Sequence, residues 1–188
     1  ENYNVFVSAI NLSEVENQRA RALNAVAGLS EKIQVIDGSF ENLPFETAGH
    51  NGGFDVVWSQ DAILHSDRRE HVLAEAFRVL KPGGYFVFTD PMQANDCPQG
   101  VLQPIYDRIH LSSLGSPDFY RQAAVQIGFD VVQFDDLTYQ LVNHYQRVLE
   151  ETEKKAGELT ENVDPAYIDR MKKGLKYWID GGKKEYLV

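Results

Sequence analysis

An α/β fold with a mostly parallel sheet is what this sequence predicts. Apolar runs that read as strands alternate with helical segments through the first two thirds of the chain. Three of the strands stop in small polar clusters: Ile10-Asn11-Leu12, Gly38-Ser39-Phe40 and Ser59-Gln60-Asp61. Ligands of open α/β sheets sit at the carboxyl ends of strands, so these clusters are where chemistry is expected.

Taken in order, residues 5–10 read as a strand. Ser13 with Glu16 three residues on is a capping box, and the helix it starts carries Val15, Ala22, Leu23, Val26 and Leu29 at helical spacing, ending near Gly28. Residues 32–36 form the second strand, 41–44 a loop and 47–53 a turn-rich stretch. Residues 54–58, Phe-Asp-Val-Val-Trp, form the central buried strand. Asp67 and Glu70 cap the next helix, with Val72, Leu73, Ala76, Phe77 and Leu80 on its apolar face. Lys81-Pro82-Gly83-Gly84 stops it, because proline and paired glycines do not continue a helix. A strand over 85–89 ends in Asp90-Pro91-Met92, followed by a polar loop to Gly100 and a helix over 101–111. Ser116-Pro117 is an N-cap with proline at the first helical position, and that helix ends at Gly128. A strand is expected over 129–134, a long helix over 138–157, and a last helix from Asp164-Pro165 to Gly181-Gly182. Residues 185–188 look like a strand cut short. The helical, polar stretch around 138–182 reads as a lid over the strand ends of a single domain, 188 residues being ample for one core.

The formal net charge of −10 argues against nucleic acid and anionic membranes as partners. One cysteine, Cys97, excludes an internal disulfide framework and fits a reducing, cytoplasmic setting. No stretch approaches the roughly 20 apolar residues of a spanning helix, no signal-peptide pattern opens the chain, and no metal site is read. Glu1, with a strand close behind it, does not look like a natural start. The two groups with the clearest chemistry are Asp61 and His65. They stand four residues apart just past the central strand and share one face if residues 62–65 are helical. That suits an acid–base pair at the mouth of a site; the alternative is a helix-capping Asp and a surface His.

The ordered strand-end clusters, with Leu80-Lys81-Pro82-Gly83-Gly84 before a strand, resemble the class I S-adenosylmethionine-dependent methyltransferases. Gln60-Asp61-Ala62-Ile63-Leu64-His65-Ser66, Thr89-Asp90-Pro91-Met92, Leu141-Val142-Asn143-His144-Tyr145 and the segment from Met171 to Gly182 look like the sarcosine/dimethylglycine N-methyltransferases, which make glycine betaine. The resemblance covers almost the whole chain. It implies a Rossmann-like sheet of seven strands with helices on both faces. The family's first strand and its Asp/Glu-x-Gly-x-Gly loop do not occur in these 188 residues, so the chain is expected to begin at the second strand.

The resemblance also distributes roles. Asn11 stands where relatives place an acid for the ribose hydroxyls, and Leu12 would pack on the adenine. Gln18 could reach back from the helix, although a surface position suits it better. Ser39 and Phe40 stand where relatives carry a carboxylate for the adenine amino group, and Gln60 would meet the methionine end through its main chain. Asp61 would hold the substrate amine, with His65 accepting its proton and Asp90 facing the ammonium; Asp90 also reads as a turn residue before Pro91. Arg108 matches an anion-binding arginine of the phosphobase relatives and suits a substrate carboxylate, or else it is a surface ion-pair residue. His144 and Tyr145 line the pocket or pack a helix face. Trp178 is a cation–π wall or core. The implied cofactor is S-adenosylmethionine and the implied partner a small amine or amino acid. The same fold also serves phosphoethanolamine and natural-product methylation, or non-catalytic cofactor binding. Relatives acting on phosphoethanolamine carry a tyrosine where this chain has Pro91, which weakens a phosphate site.

Overall fold

Val7–Asn11 (β1) and Ile33–Asp37 (β2) pair in parallel, from Val7 opposite Ile33 to Asn11 opposite Asp37, in a computed structural model that describes residues 4–49 and 53–188. A parallel pair needs a crossover, and Glu14–Val26 (α1) supplies it. Phe54–Gln60 (β3) and Leu80–Thr89 (β4) form a second two-stranded sheet, separated in sequence by a 3-10 turn, Ile63–His65, and by Arg69–Val79 (α2). Then follow Gln103–Ile109 (α3), Pro117–Ile127 (α4), Thr138–Lys154 (α5), Ala156–Leu159 (α6) and Pro165–Lys183 (α7). The described residues fall into two compact units, one up to Val57 with His71–Phe86, the other Trp58–Glu70 with Val87–Val188. Among the described residues the strands form two separate pairs.

In the first unit, half of the expected capping box forms. Ser13 Oγ accepts from the Glu16 N–H at 3.3 Å, but the Ser13 N–H goes to Asn11 Oδ1 (3.0 Å), and Glu16 Oε2 accepts from Asn11 Nδ2 (2.7 Å). The apolar stripe of α1 is not buried as expected: Val15 is 78% and Val26 90% exposed. The face against the strands is polar instead. Asn17, 2% exposed, donates to the Asn11 carbonyl (2.8 Å) and to Asp37 Oδ1 (2.7 Å), tying the ends of β1 and β2 together. Helix α2 clamps the following loop. Glu75 and Arg78 form a two-pronged pair at 2.7 Å; Glu75 accepts from the Leu43 N–H, and Arg78 donates to the Leu43 and Phe45 carbonyls. The turn-rich stretch 47–53 lies partly outside the described residues. α2 stops at Val79, ahead of Lys-Pro-Gly-Gly as expected, but that segment is already part of β4, where Lys81 pairs with Asp55 at 2.7 Å.

In the second unit, Leu64, Leu102, Ile105, Leu114, Trp178 and Leu187 form the core. The last residues do pair: the Met92 and Val188 N–H and C=O groups exchange bonds at 2.8 and 2.9 Å, and Ala94 N–H donates to the Tyr186 carbonyl. Three expectations are corrected. Residues 129–134 lie in no strand, because no neighbouring strand among the described residues offers them a ladder. The long helix breaks after Lys154, and α6 resumes at Ala156. The last helix runs through Gly181 and Gly182 to Lys183. Both glycines are buried there because a Cβ would stand 2.8 Å from Leu187 Cδ1 or 2.7 Å from Val142 Cγ2. They admit close neighbours; they do not end the helix.

Candidate active site

The carboxyl ends of β3 and β4 carry the charged groups. Asp61 has φ +49°, a left-handed conformation that Asp tolerates better than most residues. It is fixed by Thr89 through two bonds: its N–H donates to the Thr89 carbonyl and its Oδ1 accepts from Thr89 Oγ1, both at 2.8 Å. The expected common helical face with His65 does not form. Asp61 lies outside the 3-10 turn, whose three-residue period does not return a side chain after four residues. Within the turn Ile63 and Leu64 are buried and His65 is exposed.

Asp90 is half-buried just after β4, and both its oxygens are engaged. Oδ1 accepts from the Leu64 N–H (2.9 Å), Oδ2 from the Tyr120 hydroxyl (2.6 Å). Burial pushes its carboxyl up to about 6, against the Tyr120 and Leu64 bonds and the nearby Arg69 charge, which lower it; Asp61 raises it further. Burial and the neighbouring Asp90 charge also push the Tyr120 phenol well above its ordinary range.

Helices α3, α5 and α7 bring the substrate candidates together. Tyr145 of α5 stacks on the buried Trp178 of α7 at 4.8 Å, and His144 meets Tyr145 edge-on at 5.1 Å. Trp178 is thus core beneath Tyr145. Burial pushes the Tyr145 hydroxyl up to about 12; the Asp61 charge adds to this and the Arg108 charge opposes it. One phenol therefore feels both the site's carboxylate and its guanidinium. Arg108 reaches across to α7, donating to the Arg170 carbonyl at 3.1 Å and lying flat over Gly174, where a Cβ would stand 2.5 Å from its Nε.

The cofactor candidates at the ends of β1 and β2 are described within their own unit. The Asn11 amide is spent on Glu16 and Ser13, leaving little of it for a ribose. Leu12, 72% exposed, directly follows β1, and Ser39 and Phe40 follow β2, which ends level with it. Ser39 Oγ accepts from the Glu41 N–H at 3.1 Å, shaping that turn. An exposed leucine just past one strand and a half-buried phenylalanine just past its partner offer apolar surface to a flat purine, so these residues fit an adenine-bearing cofactor. Gln60 is exposed at the end of β3. Gln18 bonds Glu14 at 3.2 Å. Among the described residues no cluster of His, Cys, Asp or Glu could hold a metal, and no helix is long and apolar enough to cross a membrane.

Sequence reasoning missed Asn17, Arg69, Asp37 and Tyr120. Asp37 was within reach: it is an acid on the last residue of β2, held below the usual carboxylate range by Asn17 first and then by Arg21. Asn17 and Tyr120 carry no local signal, since their partners lie 20 and 30 residues away.

Residues 1–88 match the methyltransferase domain family. The crystal structure of a candidate sarcosine dimethylglycine methyltransferase from Galdieria sulphuraria superposes on 99% of the chain with a TM-score of 0.91, at 36% identity and over 68% of its own length. The chain belongs to the S-adenosylmethionine-dependent methyltransferases. This methyltransferase is 52% identical over 186 residues to the sarcosine/dimethylglycine N-methyltransferase of Halorhodospira halochloris, covering 99% of this chain and 65% of the relative. It is 55% identical over 182 residues to that of Aphanothece halophytica, covering 97% and 64%. It therefore spans just under two thirds of the length of these two relatives. Asp61 and Asp90 follow the adjacent paired strands β3 and β4.

Proposed function

We propose that the full-length protein transfers methyl groups from S-adenosylmethionine to sarcosine or dimethylglycine, toward glycine betaine. The observation that carries this reading is one fixed carboxylate and one fixed guanidinium within the same compact unit: Asp61, bonded to Thr89 just past β3, and Arg108 of α3, packed on Gly174 and bonded to the Arg170 carbonyl of α7. A zwitterionic amino acid offers one ammonium and one carboxylate, and this charge pair complements both. The names of the relatives from Halorhodospira halochloris and Aphanothece halophytica support the substrate class.

Leu12, Ser39 and Phe40, with Asn11 through its main chain, would hold the adenosine end of S-adenosylmethionine, which when bound supplies an electrophilic methyl group on a sulfonium. The chain's own residues meet two demands. The first is a neutral amine, since a free amino acid is mostly protonated near neutrality. Asp61 orients the amine, His65 accepts its proton, and residues 138–182 act as a lid that excludes water and disfavours the charged form. The second demand is charge stabilisation as the nitrogen becomes positive. Asp61, already fixed by Thr89, needs no reorganisation to supply it, and Asp90 adds a second negative charge when ionised. Arg108 and Tyr145 take the carboxylate, which sets the nitrogen's direction and so supplies much of the rate.

Arg108→Ala in the full-length protein tests the assignment. Loss of a charge-assisted contact costs roughly 1.5–3 kcal/mol, about ten- to a hundredfold in the KM for sarcosine and dimethylglycine. Arg108→Lys restores only part, because an ammonium does not fork onto two oxygens. The KM for S-adenosylmethionine stays put. Unchanged KM values for both amino acids remove Arg108 from the site, and turnover of phosphoethanolamine in place of either would overturn the substrate class.

A further inference from the structure

We infer that Tyr120 and Arg69 are positioning residues for His65, acting through the two polar atoms of the Leu64 peptide. The inference rests on the reading of His65 as the proton acceptor. The Leu64 N–H is held by Asp90 at 2.9 Å, and the Leu64 carbonyl by Arg69 Nη2 at 3.0 Å. The same nitrogen ties that carbonyl to the carbonyl of Ser113 at 2.5 Å, joining the turn to the segment before α4. The backbone immediately before His65 is therefore gripped from both sides by side chains.

Each grip is itself fixed. Arg69 is 8% exposed, too buried to sample other partners, and a lysine there offers a single nitrogen with no planar fork. Tyr120 holds the other oxygen of Asp90 at 2.6 Å. Its ring is locked by packing: Phe88 at 5.3 Å, Phe119 at 5.2 Å, and the backbone at Gly115, where a Cβ would stand 2.5 Å from Tyr120 Cε2. The ring needs no hydroxyl to stay in place. The hydroxyl's distinct contribution is to hold the Asp90 carboxylate in the rotamer that receives the Leu64 N–H. The charged and titratable groups that bear on Asp90 are Tyr120 from α4, Arg69 from the start of α2 and Asp61 from the end of β3. Loss of the Tyr120 donor removes support for the ionised form, so Asp90 would take up its proton at higher pH. A protonated carboxyl is a weaker acceptor for the Leu64 N–H, and the turn carrying His65 loosens.

Tyr120→Phe in the full-length protein is the test. The expected result is a fall of about tenfold in kcat with dimethylglycine, a KM for S-adenosylmethionine within about twofold of wild type, and an acid limb of the kcat profile moved to higher pH. The His65 ring resonance, assigned by its loss in His65→Gln, should move in chemical shift at fixed pH in Tyr120→Phe. Arg69→Lys, where it folds, should lower kcat with the KM values unchanged. If Tyr120→Phe leaves kcat, the acid limb and the His65 ring resonance as in wild type, the inference is overturned, even where the melting temperature falls. Should wild type methylate no small amino acid, the reading of the site fails separately, and the shift of the His65 ring resonance alone decides the role of Tyr120.

Discussion

Asp90 binds its proton more tightly in the folded protein than a free carboxyl does, and the cause is burial at the end of β4. The sign of the consequence follows. With the folded value near 6 and the unfolded one lower, the folded state holds a proton through the intervening range that the unfolded state releases. This contribution is full at low pH and lost as pH rises through about 6. Its size is on the order of 2–3 kcal/mol. Glu75 acts in the opposite sense: Arg78 holds its carboxyl low, and that stability is lost on acidification. Asp90→Asn separates the two. Denaturant unfolding of both full-length proteins from pH 4 to 7.5 should show the variant gaining on wild type as pH rises. A gap that is constant across that range would mean Asp90 is not the buried acid described here.

At the scale of elements, the clearest case is α7 serving α3. Gly174 sits inside α7 where helix propensity disfavours it by about 1 kcal/mol relative to Ala. The Arg108 side chain occupies the space a methyl group would take. Gly174→Ala should therefore hold or raise the melting temperature while evicting the guanidinium, and the KM for dimethylglycine should rise about tenfold with that for S-adenosylmethionine unmoved. A raised melting temperature with no change in either KM would show that Arg108 reaches the substrate from another position. Such packing is what the sequence conceals. Local chemistry was legible: Ser116 and Asp164 cap α4 and α7 as expected, and the strand-end clusters fall within a residue or two of their places. The places of Asp61 and Asp90 just past β3 and β4 were legible too, because those strands end where their apolar runs stop. The polar underside of α1, the glycines inside α7 and the missing strand at 129–134 were not, because each depends on a neighbour distant in sequence. A stripe of Val and Leu at helical spacing says that a helix is amphipathic; it does not say that anything covers the stripe.

Across the whole molecule, apolar surface is left open. Val5, Phe6 and Leu12 around β1, and Val15, Leu23 and Val26 on α1, are all exposed. The sheet material is two pairs, and a two-stranded sheet is marginal in water unless something packs against it. These 188 residues also contain no Asp/Glu-x-Gly-x-Gly segment to let a backbone approach the methionine end of S-adenosylmethionine. The chain by itself should accordingly bind a hydrophobic dye strongly, unfold over a broad range of denaturant, and take up S-adenosylmethionine poorly. The full-length protein should bind it, with Leu12 and Phe40 proposed to hold the adenine. Calorimetry on the 188-residue chain and on the full-length protein compares the two directly. Tight binding by the chain alone would place the cofactor away from the ends of β1 and β2. Weak dye binding would mean that the exposed faces cover one another, through self-association that sedimentation would detect.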